Sequence, residues 1–385
     1  MDIAIIAHKI HREWLVQVLS SYQEINVKIA CFVDWIDIDE ERPGEIPVVS
    51  FTQLSQIVYD IILIAVPWPG RGNQIFLTLH DMGILKPVYA IRPTMMDTKR
   101  DFIIEGEFDF SVVDKISMED KRPFLQLIET HVCDDCNLNC KACTHFAPFV
   151  KKRLKADIGQ FEASMCKASQ IFSGIGLISI LGGEALLEPS LCLDMIGISR
   201  KYFPKSGIML TTNGLLIPNM EPAFWEAIRK NEAFINVTPY PPTVKLVPQI
   251  LEIFHNYHLK YDPRIETKEI KTFAKFMSLS SIYDADWNNE MCAGAGCYQL
   301  QNGYIGKCPE GMYIDFMAES LGKRPSELKT KDAVNLFEAE DGFEVLRKLC
   351  RPSDMCRKCA RKFREDIAWE SAGRFPNPDD WLIHR

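Results

Sequence analysis

No apolar run in this chain of 385 residues approaches the roughly eighteen needed to span a bilayer. The longest candidate, at 60–66, has the length of a strand. The opening Met-Asp-Ile-Ala-Ile-Ile carries no basic region, which speaks against a secretory signal. Positive charge is not in excess either: the formal net charge is −8, which argues against a nucleic-acid partner. These absences leave a protein expected in the cytoplasm, with no membrane and no nucleic acid. Apolar residues make up 47 % of the chain and charged residues 25 %, enough to bury sizeable cores in two or three domains. Cysteine is plentiful, at 13, but the number is odd and the spacings are those of metal-binding loops. That predicts metal and a reducing compartment rather than disulfides.

The first 115 or so residues read as a unit of their own. Apolar, β-branched runs at 3–7, 27–33, 60–66 and 88–91 alternate with amphipathic stretches such as Trp14-Leu15-x2-Val18-Leu19, which has helical spacing. That alternation predicts a parallel, doubly wound, Rossmann-like sheet. Asp34 falls where a dinucleotide-binding fold keeps its ribose-binding acid. The first loop, Ala7-His8-Lys9-Ile10-His11, lacks the glycines that let a backbone approach a pyrophosphate, so the fingerprint fails. Pro67-Trp68-Pro69-Gly70-Arg71-Gly72-Asn73 is a better ligand-loop candidate, against the plainer reading of a β–α turn.

The most informative stretch is Cys136-Asn-Leu-Asn-Cys140-Lys-Ala-Cys143. Three thiolates on one tight loop can hold three irons of a [4Fe–4S] cube and leave the fourth open, and an open coordination position is where chemistry happens. The spacing also suits a zinc knuckle, for which Cys133 or His145 would be the fourth ligand; Cys133 reads instead as the end of a strand. Downstream, a helical stretch at 157–172 precedes Leu177-Ile178-Ser179-Ile180-Leu181 and then Gly182-Gly183-Glu184, a buried strand ending in a tight turn. Ile208-Met209-Leu210-Thr211-Thr212-Asn213-Gly214 and Ile235-Asn236-Val237-Thr238-Pro239-Tyr240 follow as further strands with polar ends, where a (β/α) barrel puts its chemistry.

This series resembles the radical SAM (S-adenosylmethionine) superfamily, over about 122–271. The resemblance implies a catalytic [4Fe–4S] cluster on Cys136, Cys140 and Cys143, with SAM bound by Gly182, Gly183, Glu184, Asn213 and Thr238. It also implies a 5′-deoxyadenosyl radical that abstracts hydrogen from a substrate, and a reductant of flavodoxin or ferredoxin type. Many members carry an aromatic residue just before the last cluster cysteine. Here that residue is Ala142, and Phe146 is the candidate replacement. The run Lys151, Lys152, Arg153 and Lys155 reads as a solvated approach to the next helix, with a substrate-phosphate anchor as the alternative. Cys31, Cys166 and Cys192 read as buried fillers.

Near the C-terminus, Cys292-x4-Cys297, Gly303-x4-Cys308-Pro309, Cys350 and Cys356-Arg-Lys-Cys359 resemble the SPASM and twitch extensions of radical SAM enzymes, over about 287–369. Six cysteines are too few for two fully cysteine-ligated cubes, so one auxiliary [4Fe–4S] cluster is implied. Its ligands would be Cys297 or Cys292 with Cys308, Cys356 and Cys359. Two partly open clusters, or a zinc on four cysteines, are the alternatives. Cys350 and Cys292 are candidate hydrogen-atom donors. The expected architecture is α/β: a Rossmann-like sheet at 1–115, a partial (β/α)6 barrel at 122–285, and a small cysteine-rich domain at 286–385. The expected function is hydrogen abstraction from a small, carbohydrate-like substrate, free or nucleotide-linked, leading to oxidation or epimerisation. A peptide-modifying enzyme is the alternative within the family, and a non-catalytic iron–sulfur or zinc protein the alternative outside it.

Overall fold

The computed structural model describes residues 1–21, 27–34, 46–66, 69–92, 113–267, 269–292, 294–328 and 332–384. They divide into two compact units, Met1–Gln126 and Leu127–Arg385. Among the described residues no helix is long and apolar enough to cross a membrane.

The first unit is built on strands β1 (Asp2–Ala7), β2 (Lys28–Asp34), β3 (Val48–Ser50), β4 (Ile61–Ala65), β5 (Val88–Ile91) and β6 (Val113–Ile116), in the order β3-β2-β1-β4-β5-β6. All pairs are parallel except β5 with β6. Helices α1 (Lys9–Ser21), α2 (Phe51–Leu54) and α3 (Pro69–Asp81) fall between strands. Alternate residues Ile3, Ile5 and Ala7 of β1 pack with Leu15 of α1 and with Phe32, Leu63, Ala65 and Ile91. This is the doubly wound sheet the apolar runs predict. Asp34 ends β2, and its carboxylate takes the Arg12 guanidinium at 2.6 Å, which gives it a structural partner inside the unit. Pro67 and Trp68 lie outside the described residues. From Pro69 the proposed ligand loop is already the first turn of α3, and Asn73 is buried with its Oδ1 accepting from the Gln126 N–H at 3.1 Å.

The second unit is organised by β7 (Phe124–His131), β8 (Gly174–Leu181), β9 (Gly207–Thr212), β10 (Phe234–Val237) and β11 (Lys260–Tyr261). Between them run α4 (Ile158–Ile171), α5 (Pro189–Tyr202), α6 (Pro222–Lys230), α7 (Pro241–Val244) and α8 (Val247–Asn256). Asp157 starts α4 by accepting from the Gln160 N–H at 2.9 Å, a carboxylate N-cap. Strands β8, β9, β10 and β11 pair in parallel. The carboxyl ends of β7 and β8 lie side by side, with Val132 N–H donating to Leu181 O at 2.7 Å. One face of the sheet carries Ile178, Ile180, Ile208, Leu210 and Ile235, all at 0 % exposure, as expected under a helical layer.

Beyond β12 (Thr272–Lys275), the hairpin β13 (Tyr298–Gln301) and β14 (Tyr304–Lys307) joins the same sheet. β13 pairs in parallel with β7, setting Gln299 opposite Glu129, and β14 then pairs with β15 (Val334–Asn335). Buried Tyr298 and Leu300 cover what would otherwise be an unpaired β7 edge. β16 (Glu365–Ala368) forms a separate antiparallel ribbon with β12.

Candidate functional site

The Cys136–Cys143 loop sits directly beyond the carboxyl end of β7. Three residues of this stretch, Asn139, Ala142 and Phe146, have φ near +50°. Left-handed backbone at Ala and Phe is costly, and here it coils the chain tightly enough for the three thiols to influence one another. Burial pushes Cys136 up to about 11 and Cys140 up to about 12, and raises Cys143 as well. Hydrogen-bond donors meet the sulfurs. Cys136 Sγ accepts from the Leu138 N–H at 3.4 Å and faces Asn213 Nδ2 at 3.7 Å. Trp369 Nε1 donates to Cys140 Sγ at 3.1 Å, and the backbone N–H groups of His145, Ala147 and Phe146 favour the Cys143 thiolate.

Gly182 and Gly183 wrap against this loop. Gly183 N–H donates to Cys133 O and Glu184 N–H to Asp135 O, both at 2.9 Å. A Cβ on Gly182 would run into Cys133 O, and one on Gly183 into the carbonyl oxygens of Asp135 and Asp134. Glycine is required here by backbone approach. Glu184, at 1 % exposure, knots β8 to β9. Its Oε1 accepts from Leu186 N–H (2.9 Å) and Thr212 Oγ1 (2.6 Å), and its Oε2 from Asn213 N–H (2.8 Å). Three of about four acceptor positions are therefore filled by the chain itself. Asn213 Nδ2 also donates to Asn137 Oδ1 at 2.6 Å, tying the end of β9 to the cysteine loop. Thr238 lies just past β10, its N–H donating to Thr212 O at 2.9 Å.

Neither alternative fourth ligand faces the three cysteines. Cys133 Sγ donates to Glu184 O at 3.2 Å, and burial pushes its thiol up to about 12. Cys133 also lies two residues past the end of β7, not in the strand. His145 Nδ1 lies 2.7 Å from His131 Nε2, whose Nδ1 lies 2.7 Å from Asp134. Phe146 is fully buried in a core with Phe149, Phe276 and Tyr313, against which Cys143 packs. The sequence reading missed two further aromatics near the loop: Tyr240, whose phenol is raised by burial and then by Cys140, Cys143 and Cys136, and Trp369. Their rings lie 6.4 Å apart. The basic run is solvent-facing: Arg153 pairs with Asp135 at 2.7 Å and Lys155 with Glu188 at 2.8 Å.

A strap from far downstream caps the loop. Lys141 N–H donates to Glu370 O at 2.9 Å and Ala372 N–H to Asn139 O at 2.7 Å. Trp381 Nε1 donates to Cys143 O at 2.8 Å.

Toward the C-terminus, Cys292, Cys308, Cys356 and Cys359 line one small cavity together with Lys307, Glu310 and Arg361. Arg361 Nη2 donates to Cys292 Sγ at 2.8 Å and Gly311 N–H to Cys308 Sγ at 3.3 Å. Asn288 Nδ2 bridges the carbonyls of Cys356 (2.9 Å) and Cys359 (2.7 Å), fixing the CxxC turn. Cys297 is placed elsewhere, packed on Leu127, Leu177 and Met209, and Cys350 Sγ lies 3.6 Å from the Tyr298 hydroxyl. Cys31 and Cys192 are buried, whereas Cys166 is partly exposed. Among the described residues no three His, Cys, Asp or Glu stand close enough to hold a single metal ion. A four-iron cube takes its thiolates on different irons. The buried, donor-rich thiols of both places suit such a cube.

Neither a protein-family model nor a curated protein matches the chain. Parts of it are similar to solved structures. One is anSMEcpe with bound AdoMet, at 19 % identity and a TM-score of 0.30, covering 36 % of this chain and 42 % of that one. Another is BtrN in complex with AdoMet and 2-DOIA, at 16 % identity and a TM-score of 0.37, covering 67 % and 98 %. A third is Streptococcus suis SuiB bound to S-adenosylmethionine, at 18 % identity and a TM-score of 0.28, covering 37 % and 33 %.

Proposed function

We propose that this chain is a radical SAM enzyme acting on a small, carbohydrate-like substrate, with an auxiliary cluster near its C-terminus. The supporting observation is the packing of Gly182-Gly183-Glu184 and Asn213 onto the Cys136–Cys143 loop at the carboxyl ends of β7, β8 and β9. When bound, a [4Fe–4S] cluster with SAM supplies a 5′-deoxyadenosyl radical that takes a hydrogen atom from the substrate. Cys136, Cys140 and Cys143 would hold the cluster, and their N–H donors would offset its negative charge. The close backbone approach at Gly182 and Gly183 holds that turn against Cys133 and Asp135, just ahead of the loop. Tyr240 and Trp369 wall the loop with aromatic surface and limit access of water.

For the second cluster we propose Cys292, Cys308, Cys356 and Cys359, because these four share one cavity with the cation Arg361. Oxidation is favoured over epimerisation. Cys292 is committed to that cavity and Cys350 packs against Tyr298, so neither candidate hydrogen donor is on the inner face of the sheet.

The test is anaerobic reconstitution. The wild-type protein is expected to bind iron and yield 5′-deoxyadenosine. Replacing Cys136, Cys140 and Cys143 with Ala is expected to abolish the nucleoside and leave about half the iron. A wild-type protein that takes zinc and no iron, or a triple variant that still cleaves SAM, overturns the proposal.

A further inference from the structure

A groove of about 660 Å³ opens on the C-terminal part of the second unit, which is the size of a small-ligand site. One wall is the stretch 332–335, which includes the edge strand β15; the other is the helix Gly342–Cys350 with Glu344, Val345 and Lys348. The groove backs onto the cavity of the four C-terminal cysteines. Lys307, at 6 % exposure, lines both. Its ammonium donates to Asn289 Oδ1 in the cysteine cavity and to Arg351 O, at 2.8 Å, in the groove. Ser353 also lines the groove, and its Oγ lies 3.5 Å from Cys356 Sγ. One hydroxyl therefore stands between the groove and a thiol, while Cys308, Cys356 and Cys359 are themselves buried.

The mouth of the groove has a sign. Among the described residues its lining carries five carboxylates and three cations. Lys307 is turned inward to Asn289, and Lys348 is paired with Glu344 at 2.9 Å. That leaves exposed Glu338, Glu340 and Asp341 against exposed Arg351. A concave mouth lined by excess negative charge attracts cations and positively charged protein faces, and does so less as salt rises.

We propose that this groove docks the electron acceptor of the auxiliary cluster, a one-electron carrier with a positively charged contact face. This rests on reading Cys292, Cys308, Cys356 and Cys359 as a cluster and oxidation as the reaction. In that reaction the substrate radical gives up one proton and one electron to become product, and the electron reduces the auxiliary cluster. The next turnover needs the cluster oxidised again, so the electron has to leave. The groove brings a docked carrier to within one serine side chain of a cluster ligand.

The test isolates the auxiliary cluster in the full-length chain with Cys136, Cys140 and Cys143 replaced by Ala. The reconstituted protein is reduced, desalted anaerobically, and mixed in stopped flow with hexaammineruthenium(III), a cation, or ferricyanide, an anion. Oxidation is followed by the absorbance of the cluster. Glu338→Lys combined with Glu340→Lys is expected to slow the ruthenium complex at least about fivefold and to speed ferricyanide, both effects fading at high salt. Glu226→Lys combined with Glu252→Lys makes the same change in net charge on α6 and α8, at the opposite end of the sheet from β15. That pair is expected to shift either rate by less than about twofold. Equal effects of the two pairs, or a ruthenium rate unmoved by the groove pair, would overturn the inference. A protein that takes up no iron once the three upstream cysteines are replaced would instead remove the cluster reading beneath it.

Discussion

At the scale of single residues, Glu184 carries two demands at once. Its carboxylate joins Leu186, Thr212 and Asn213, and we propose that it also accepts from the ammonium group of SAM, as the family resemblance implies. Glu184→Gln keeps the shape but puts an NH2 group against one of two backbone N–H donors, whichever way the amide turns. A donor facing a donor in a buried site costs about 1–3 kcal/mol. A lower melting temperature is therefore expected together with roughly tenfold weaker SAM binding. Calorimetry on the same preparation reads both. Unchanged SAM affinity in a destabilised variant would show that Glu184 only ties β8 to β9.

At the scale of elements, the strap at 369–372 defines the environment of the cysteine loop. Trp369→Phe keeps an aromatic wall beside Tyr240 but removes the N–H donated to Cys140. Hydrogen bonds to sulfur raise a cluster's potential by stabilising its more negative reduced form. Losing one worth about 1 kcal/mol is expected to lower the midpoint by about 40 mV, read by potentiometric EPR on reconstituted protein. An unmoved potential would make the indole a packing residue alone.

The strap also marks the boundary of what the sequence disclosed. Strands β1, β2, β4, β5, β8, β9 and β10 were legible because β-branched apolar runs bounded by turn residues carry a local signal, as in Leu177–Leu181 followed by two glycines; the short β3, β6, β11 and β15 carry no such run. Cys136, Cys140 and Cys143 were legible from spacing. Trp369-Glu370-Ser371-Ala372 has no local pattern, and its partners lie 229 residues upstream. Nor does any spacing separate Cys292 from Cys297. Packing sets them apart, with Cys297 seated on Leu127 and Met209 and Cys292 lining the cavity with Cys308, Cys356 and Cys359.

Across the whole molecule, the two groups of cysteines share no ligand, so they can be separated experimentally. Replacing Cys356 and Cys359 together with Ala is expected to remove the proposed C-terminal cluster and leave reductive SAM cleavage intact. If that cluster takes up an electron from the substrate, 5′-deoxyadenosine will form with little oxidised product. A wild-type product about two mass units lighter than substrate supports this, whereas a product of unchanged mass that acquires solvent deuterium would establish epimerisation. The strap has a consequence for the order in which the protein is made. A ribosome synthesises Cys143 more than two hundred residues before Trp369 and Trp381, which cap its loop. A nascent chain therefore lacks both indole contacts until Trp369 and Trp381 have been made. Truncation upstream of Trp369 is expected to leave the Cys140 thiol without its indole donor, read as faster alkylation of the three cysteines than in the 385-residue chain.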